Sequence, residues 1–161
     1  MKYIPSTAEI LAFKMLGDSV DKKWANWAYD MLSAGFETES LVMLAGEVAP
    51  YNQFELQSLT NKVFEELNLA WSDTEEVYTN YIRYLISEAL ADKLKFENVL
   101  NTIKDVYHQL DYKSSLQDFY MLYCAYDDLR YSDTQYYWEG ATSENIDLIV
   151  RQYFVDWMKI N

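Results

Sequence analysis

The chain has 161 residues, with 26 acidic against 13 basic side chains and a formal net charge of −13. Fifteen Tyr, seven Phe and five Trp stand beside only four Gly, two Pro and one Cys. Disordered acidic tails are poor in aromatics, one cysteine cannot build a disulfide framework, and this charge repels nucleic-acid phosphates and anionic lipid, so those three classes are disfavoured.

Scarce Gly and Pro favour helices over a many-stranded sheet. The first residues, MKYIPSTAEI, hold no apolar run before a small-residue cleavage site, so no signal peptide is expected. Ser6 and Glu9 have capping-box spacing and open a helix of about ten residues that should stop at Gly17. A second helix spans Asp21 to Ala34, with Trp24, Trp27, Ala28 and Met31 on one face as core, and Gly35 as its left-handed C-terminal cap. Thr38 caps a short third helix, Glu39 to about Glu47, before Pro50. Asn52 and Glu55 start a fourth, with Leu56, Leu59, Val63 and Leu67 at helical spacing. Ser72 and Glu75 repeat the cap signature ahead of Tyr78, Tyr81, Ile82, Leu85, Ala89 and Leu90.

The sixth helix carries Phe96, Val99, Leu100, Ile103, Val106, Tyr107 and Leu110 on one stripe. Ser115 with Asp118 starts the seventh, with Leu116, Phe119, Tyr120, Tyr123 and Cys124. The last begins near Ser143 and sets Ile146, Ile149, Val150, Tyr153 and Trp157 on one side. No stretch alternates with the period of a strand. The expected fold is all-α, a single domain over residues 1–161, with about seven to eight helices packed as antiparallel hairpins. A lone thiol and no apolar stretch long enough for a bilayer make the expected location cytoplasmic.

Catalytic chemistry finds little support. His108 is the single histidine and sits mid-helix beside Tyr107, as an ordinary surface or boundary residue would. Asp105 and His108 could supply half of a metal site, but no second His or Cys pair completes it, so no metal or cofactor is expected. Cys124 reads as a buried, inert thiol. Adjacent acids at 65–66, 75–76 and 127–128 diverge on a helix and make no dyad by spacing. Phosphate-binding Gly-rich loops and calcium loops are absent from the sequence.

One stretch breaks the helical rhythm. Asp127 to Gly140, DDLRYSDTQYYWEG, holds no apolar stripe of its own. Tyr136, Tyr137 and Trp138 are consecutive and would point three ways on any regular helix, so at least one ring should be exposed. Asp127, Asp128, Asp133 and Glu139 accompany them, Tyr131 adds a further ring, and Arg130 is the only cation. Tyr and Trp anchor interface centres, and carboxylates around them steer a basic partner. These eight aromatic and acidic residues form the candidate partner-binding set. Six of the residues, Ser132-Asp133-Thr134-Gln135-Tyr136-Tyr137, resemble in surface chemistry the acidic Tyr-Tyr recognition element of the colicin DNase immunity proteins.

That resemblance implies a non-catalytic inhibitor, with Tyr136, Tyr137 and Trp138 as anchors and the four carboxylates as steering groups. Its partner would be a basic protein such as a bacterial toxin nuclease, whose surface must hold a phosphate backbone. Two alternatives stay open. One is a structural or self-associating helical protein whose aromatics bury at a homo-oligomer interface. The other is an enzyme using scattered carboxylates, which a pocket with converging Asp or Glu side chains would favour.

Overall fold

The structure, a computed structural model, describes residues 2–161. Among them it is all-helical, with no strand: α1 (Thr7–Leu16), α2 (Lys22–Ser33), α3 (Glu39–Ala45), α4 (Gln53–Glu66), α5 (Thr74–Leu90), α6 (Phe96–Gln109), a 3-10 turn (Ser114–Leu116), α7 (Gln117–Tyr131) and α8 (Ile146–Ile160). No helix of the described residues is long and apolar enough to cross a membrane. The chain forms two compact units that divide between Tyr81 and Ile82, inside α5.

Three helix starts follow from side chains that satisfy otherwise orphaned backbone donors. Asp21 Oδ1 accepts from the Lys23 amide at 2.9 Å, Thr38 Oγ1 from the Leu41 amide at 3.3 Å, and Asn52 Oδ1 from the Glu55 amide at 3.1 Å. Four expected starts differ. Ser6 adopts right-handed helical angles (φ −66°, ψ −8°), so its hydroxyl makes no cap bond; capping needs an extended residue there. At α5 the cap is Asp73 rather than Ser72, its Oδ1 accepting from the Glu76 amide at 3.1 Å. Before α7 the chain makes the 3-10 turn, and the α-helix begins at Gln117 instead of Ser115. Before α8, Thr142 and Asn145 cap each other instead of Ser143: Asn145 Oδ1 accepts from the Thr142 amide at 2.6 Å, and Thr142 Oγ1 from the Asn145 amide at 3.3 Å.

Helix ends share one device. After α1, α2, α4, α5 and α6, a residue with positive φ turns the chain, and its own amide and the next one fold back on the last turn. Gly17 (φ 74°) and Gly35 (φ 101°) do this as glycine usually does. Asn68, Asp92 and Asp111 fill the same position after α4, α5 and α6, with φ between 56° and 60°. Tight turns are therefore common despite the four glycines, because Asn and Asp tolerate the left-handed region.

In the unit ending at Tyr81, α1 packs on α2, α2 on α3 and α3 on α4. Trp24, Trp27, Ala28 and Met31 of α2 are buried, as their spacing predicts, against Leu41, Leu44, Val63 and Phe64. Thr7 Oγ1 accepts the Trp27 indole N–H at 3.0 Å, whereas the buried Trp24 indole N–H has no partner among the described residues. Lys14 joins α1 to α4 through Gln57 Oε1 (2.9 Å) and Thr60 Oγ1 (3.0 Å), and its burial lowers the ammonium pKa.

In the unit beginning at Ile82, α6 packs on α7 and α8. Phe119 and Phe154 are fully buried, and aromatic edges link Phe96, Phe154, Phe119 and Tyr153 in series. That series positions the candidate site.

Candidate partner-binding site

Asp127–Tyr131, expected to begin the irregular stretch, is instead the last part of α7. Its apolar stripe does continue: Leu129 is buried with Phe119, Leu122 and Ala125. This helical phase leaves Asp127 and Asp128 half-buried and turns Arg130 and Tyr131 outward. Tyr131 is 80% exposed. Arg130 is held by Glu97 of α6 at 2.9 Å and lies 6.0 Å from the Tyr131 ring centroid, so the stretch's one cation is already paired.

The true loop runs from residue 132 to 145, and one side chain organises most of it. Gln135 Oε1 accepts from the amides of Tyr137 and Trp138, both at 2.8 Å. Its Nε2 donates to the carbonyls of Trp138 (2.6 Å) and Ala141 (3.1 Å). The half-buried amide thus fulfils four backbone groups that no helix supplies. Ser132 Oγ accepts from the Thr134 amide at 3.2 Å, and Asn145 Nδ2 donates to the Gly140 carbonyl at 2.9 Å. Gly140 has φ 81°, a turn that an L side chain would strain.

The three consecutive rings separate as expected. Tyr136 is 93% exposed and Tyr137 43%. Trp138 is half-buried and meets Tyr153 of α8 edge-on, with centroids 5.6 Å apart. Asp133 and Glu139 are exposed on the same loop. The candidate residues therefore have three settings: helical carboxylates at Asp127 and Asp128, outward groups at Tyr131, Asp133, Tyr136, Tyr137 and Glu139, and the seated Trp138.

A second aromatic surface went unnoticed in the sequence. Tyr107, His108, Tyr112 and Tyr120 form a cluster with centroid separations of 5.0 to 5.5 Å. Tyr112 reaches it through a left-handed backbone (φ 59°), rare for a bulky residue. No helical period relates Tyr107 to Tyr112 across that turn, so no pattern announced the cluster. His108 is exposed within it. Cys124 is half-buried rather than buried; desolvation raises its thiol pKa, opposed by a hydrogen bond with Tyr120 and helped by Asp128 and Asp127. That same hydrogen bond is the largest cause of the upward shift at Tyr120, where Tyr137 also contributes.

The unit beginning at Ile82 also holds a cavity of about 550 Å³. Asp92, Glu97 and Asp147 line it, each with a partner of its own. Asp92 lies 3.4 Å from Arg151, Glu97 pairs with Arg130, and Asp147 accepts the Tyr126 hydroxyl at 2.9 Å. Burial first, and this hydrogen bond second, push Tyr126 up to about 12. No group of three or more metal-ligating side chains occurs among the described residues.

No known family, curated protein or solved structure matches the chain.

Proposed function

We propose that this chain is a non-catalytic, acidic protein-binding module of the immunity type, which neutralises a basic partner such as a bacterial toxin nuclease. The observation that carries the reading is the pair Tyr136 and Tyr137, presented on a loop that Gln135 ties down, on a chain of net charge −13. A loop backbone held in place before binding loses less entropy on contact, which favours its residues as interface anchors. Asp133 and Glu139 flank them without a competing ion pair among the described residues, so their charge is available to steer a basic surface. Trp138 seats the loop on Tyr153 and contributes through position more than through contact area. Of the carboxylates that line the cavity, Glu97 pairs with Arg130 and Asp147 accepts the Tyr126 hydroxyl, which favours this reading over an acid–base enzyme.

The test is inhibition of basic toxin nuclease domains by the intact chain. Tyr136→Ala combined with Tyr137→Ala is expected to weaken binding by about a hundredfold, while Asp133→Asn with Glu139→Gln mainly slows association. Unchanged affinity in the folded double-tyrosine variant removes the loop from the account.

A second reading, self-association, is favoured by a different set of residues. Val42, Met43, Val48 and Phe54 are large, apolar and exposed, with Phe54 at 90%. Concentration-dependent mass in sedimentation, abolished by Phe54→Ser, would support it.

A further inference from the structure

The cavity in the unit beginning at Ile82 plays no part in the function proposed above, and its chemistry runs against the composition of the chain. It lies where the α5–α6 turn meets α7 and α8, and its volume falls within the range of small-molecule sites. Although acids outnumber bases 26 to 13, Lys93, Lys95 and Arg151 all line it. Of the three carboxylates that line it too, Glu97 pairs with Arg130 and Asp147 accepts the Tyr126 hydroxyl, while Asp92 has only an exposed contact with Arg151. Lys93 and Lys95, by contrast, have no acidic partner at ion-pair distance among the described residues.

The Arg151 guanidinium carbon lies 5.1 Å from the Phe96 ring centroid, a cation–π contact that holds the group at this wall. Its pairing with Asp92 is long at 3.4 Å and largely solvent-exposed, so it competes weakly. Lys95 stands just before the first turn of α6, which also carries Glu97, itself paired with Arg130. Leu94 and Phe96 supply an apolar wall.

From this juxtaposition we infer that the cavity binds a small organic phosphate, a phosphomonoester with an apolar or aromatic body. Two unpaired ammonium groups and a guanidinium match a group carrying about −1.5 to −2 charge and three acceptor oxygens. The body of the ligand lies against Leu94 and Phe96. On binding, Arg151 exchanges the exposed Asp92 for the phosphate.

The experiment is titration of the full chain with phenyl phosphate, followed by backbone amide NMR. Saturable shifts are expected at residues 92–97 and 147–151. Arg151→Gln, and Lys93→Gln with Lys95→Gln, are expected to weaken binding about tenfold, and Asp92→Asn to tighten it. Inorganic phosphate should bind more weakly than phenyl phosphate, and benzylammonium should not bind there. The proposal is overturned by the absence of saturable shifts at about 10 mM phenyl phosphate, a concentration well above millimolar affinity. Equal binding by the glutamine variants overturns it too, as does tighter binding of benzylammonium at the same amides. Inorganic phosphate binding as tightly as phenyl phosphate overturns the organic ligand.

Discussion

In the unit ending at Tyr81, Trp24 and Trp27 pack against Phe64 within one apolar cluster. In the unit beginning at Ile82 the aromatic residues are mostly tyrosines, and Tyr112, Tyr131, Tyr136 and Tyr137 are exposed around a core of Phe119 and Phe154. The difference follows from the polar tip. An indole or phenyl ring is stabilised chiefly by removing its area from water, whereas a phenol keeps a group that favours a wet boundary. A high aromatic count therefore has two meanings in this chain, set by the place of each ring rather than by the unit: Trp24, Trp27, Phe119 and Phe154 pack, whereas Tyr131 and Tyr136, and Phe54 in the first unit, are presented to water.

The contrast is tested most severely by truncating one ring of each kind. Trp24→Ala is expected to cost about 3–5 kcal/mol in urea unfolding, because it opens a cavity in a fully buried site. Tyr136→Ala should change stability by less than about 0.5 kcal/mol, since almost all of its surface already faces water. Similar losses at the two positions would break the distinction between packing and presentation.

Presentation depends on Gln135, which gives the next largest effect. Gln135→Ala strips partners from the Tyr137 and Trp138 amides and from the Trp138 and Ala141 carbonyls. A local cost of about 1–3 kcal/mol is expected, read as faster hydrogen exchange at Tyr137 and Trp138. Gln135→Glu keeps the acceptor and should preserve more of that protection. Exchange unaltered by the alanine variant would show that Trp138 seated on Tyr153 suffices to hold the loop.

Much of this arrangement was legible in the sequence, for reasons that differ by element. Thr38 and Asn52 were readable as caps because each lies just before an apolar stripe of clear phase, and Asp21 was readable as the start of its helix though not as its cap. Ser72 was misread because Ser72–Glu75 and Asp73–Glu76 share one spacing, and only the packing of the helix selects between them. The left-handed turns at Asn68, Asp92 and Asp111 were not legible, since the same residues also start helices and cap them. Exposure within Tyr136–Trp138 was legible, because three consecutive rings cannot share a face. The role of Gln135 was not, because glutamine is no turn signature. Nor was the cavity, whose walls come from residues 89–97, 126, 147 and 151.

High pH should sharpen the contrast at intermediate magnitude. Burial holds Tyr153 at about 12, with the Asp118 carboxylate adding to the shift, and Tyr126 is also pushed up to about 12. Their neutral forms are favoured in the folded state. The stability they confer is thus complete below pH 10, the ordinary tyrosine value, and is lost as pH rises through about 12. For half-buried rings the loss is on the order of 1 kcal/mol each, after allowing for solvent screening. Tyr153→Phe should move the alkaline unfolding midpoint upward, measured by circular dichroism. An unmoved midpoint would mean that Tyr153 ionises as freely folded as unfolded.

The smallest effect concerns the turns, where the two units use the same device. Asn68 ends α4 and Asp111 ends α6, each at positive φ with the same pair of folded-back amides. A side chain costs free energy in that region which glycine avoids, while glycine loses more entropy on folding, so the gain is limited. Asn68→Gly and Asp111→Gly are each expected to stabilise by about 0.5–1 kcal/mol, a rise of roughly 1–4 °C in Tm. Asn68 should gain less, because an asparagine tolerates the left-handed region best after glycine. Loss of stability on Asp111→Gly would mean that its carboxylate, next to the strained Tyr112, holds that ring against Tyr107 and His108. The turn after α6 would then serve the tyrosine surface as well as the end of the helix.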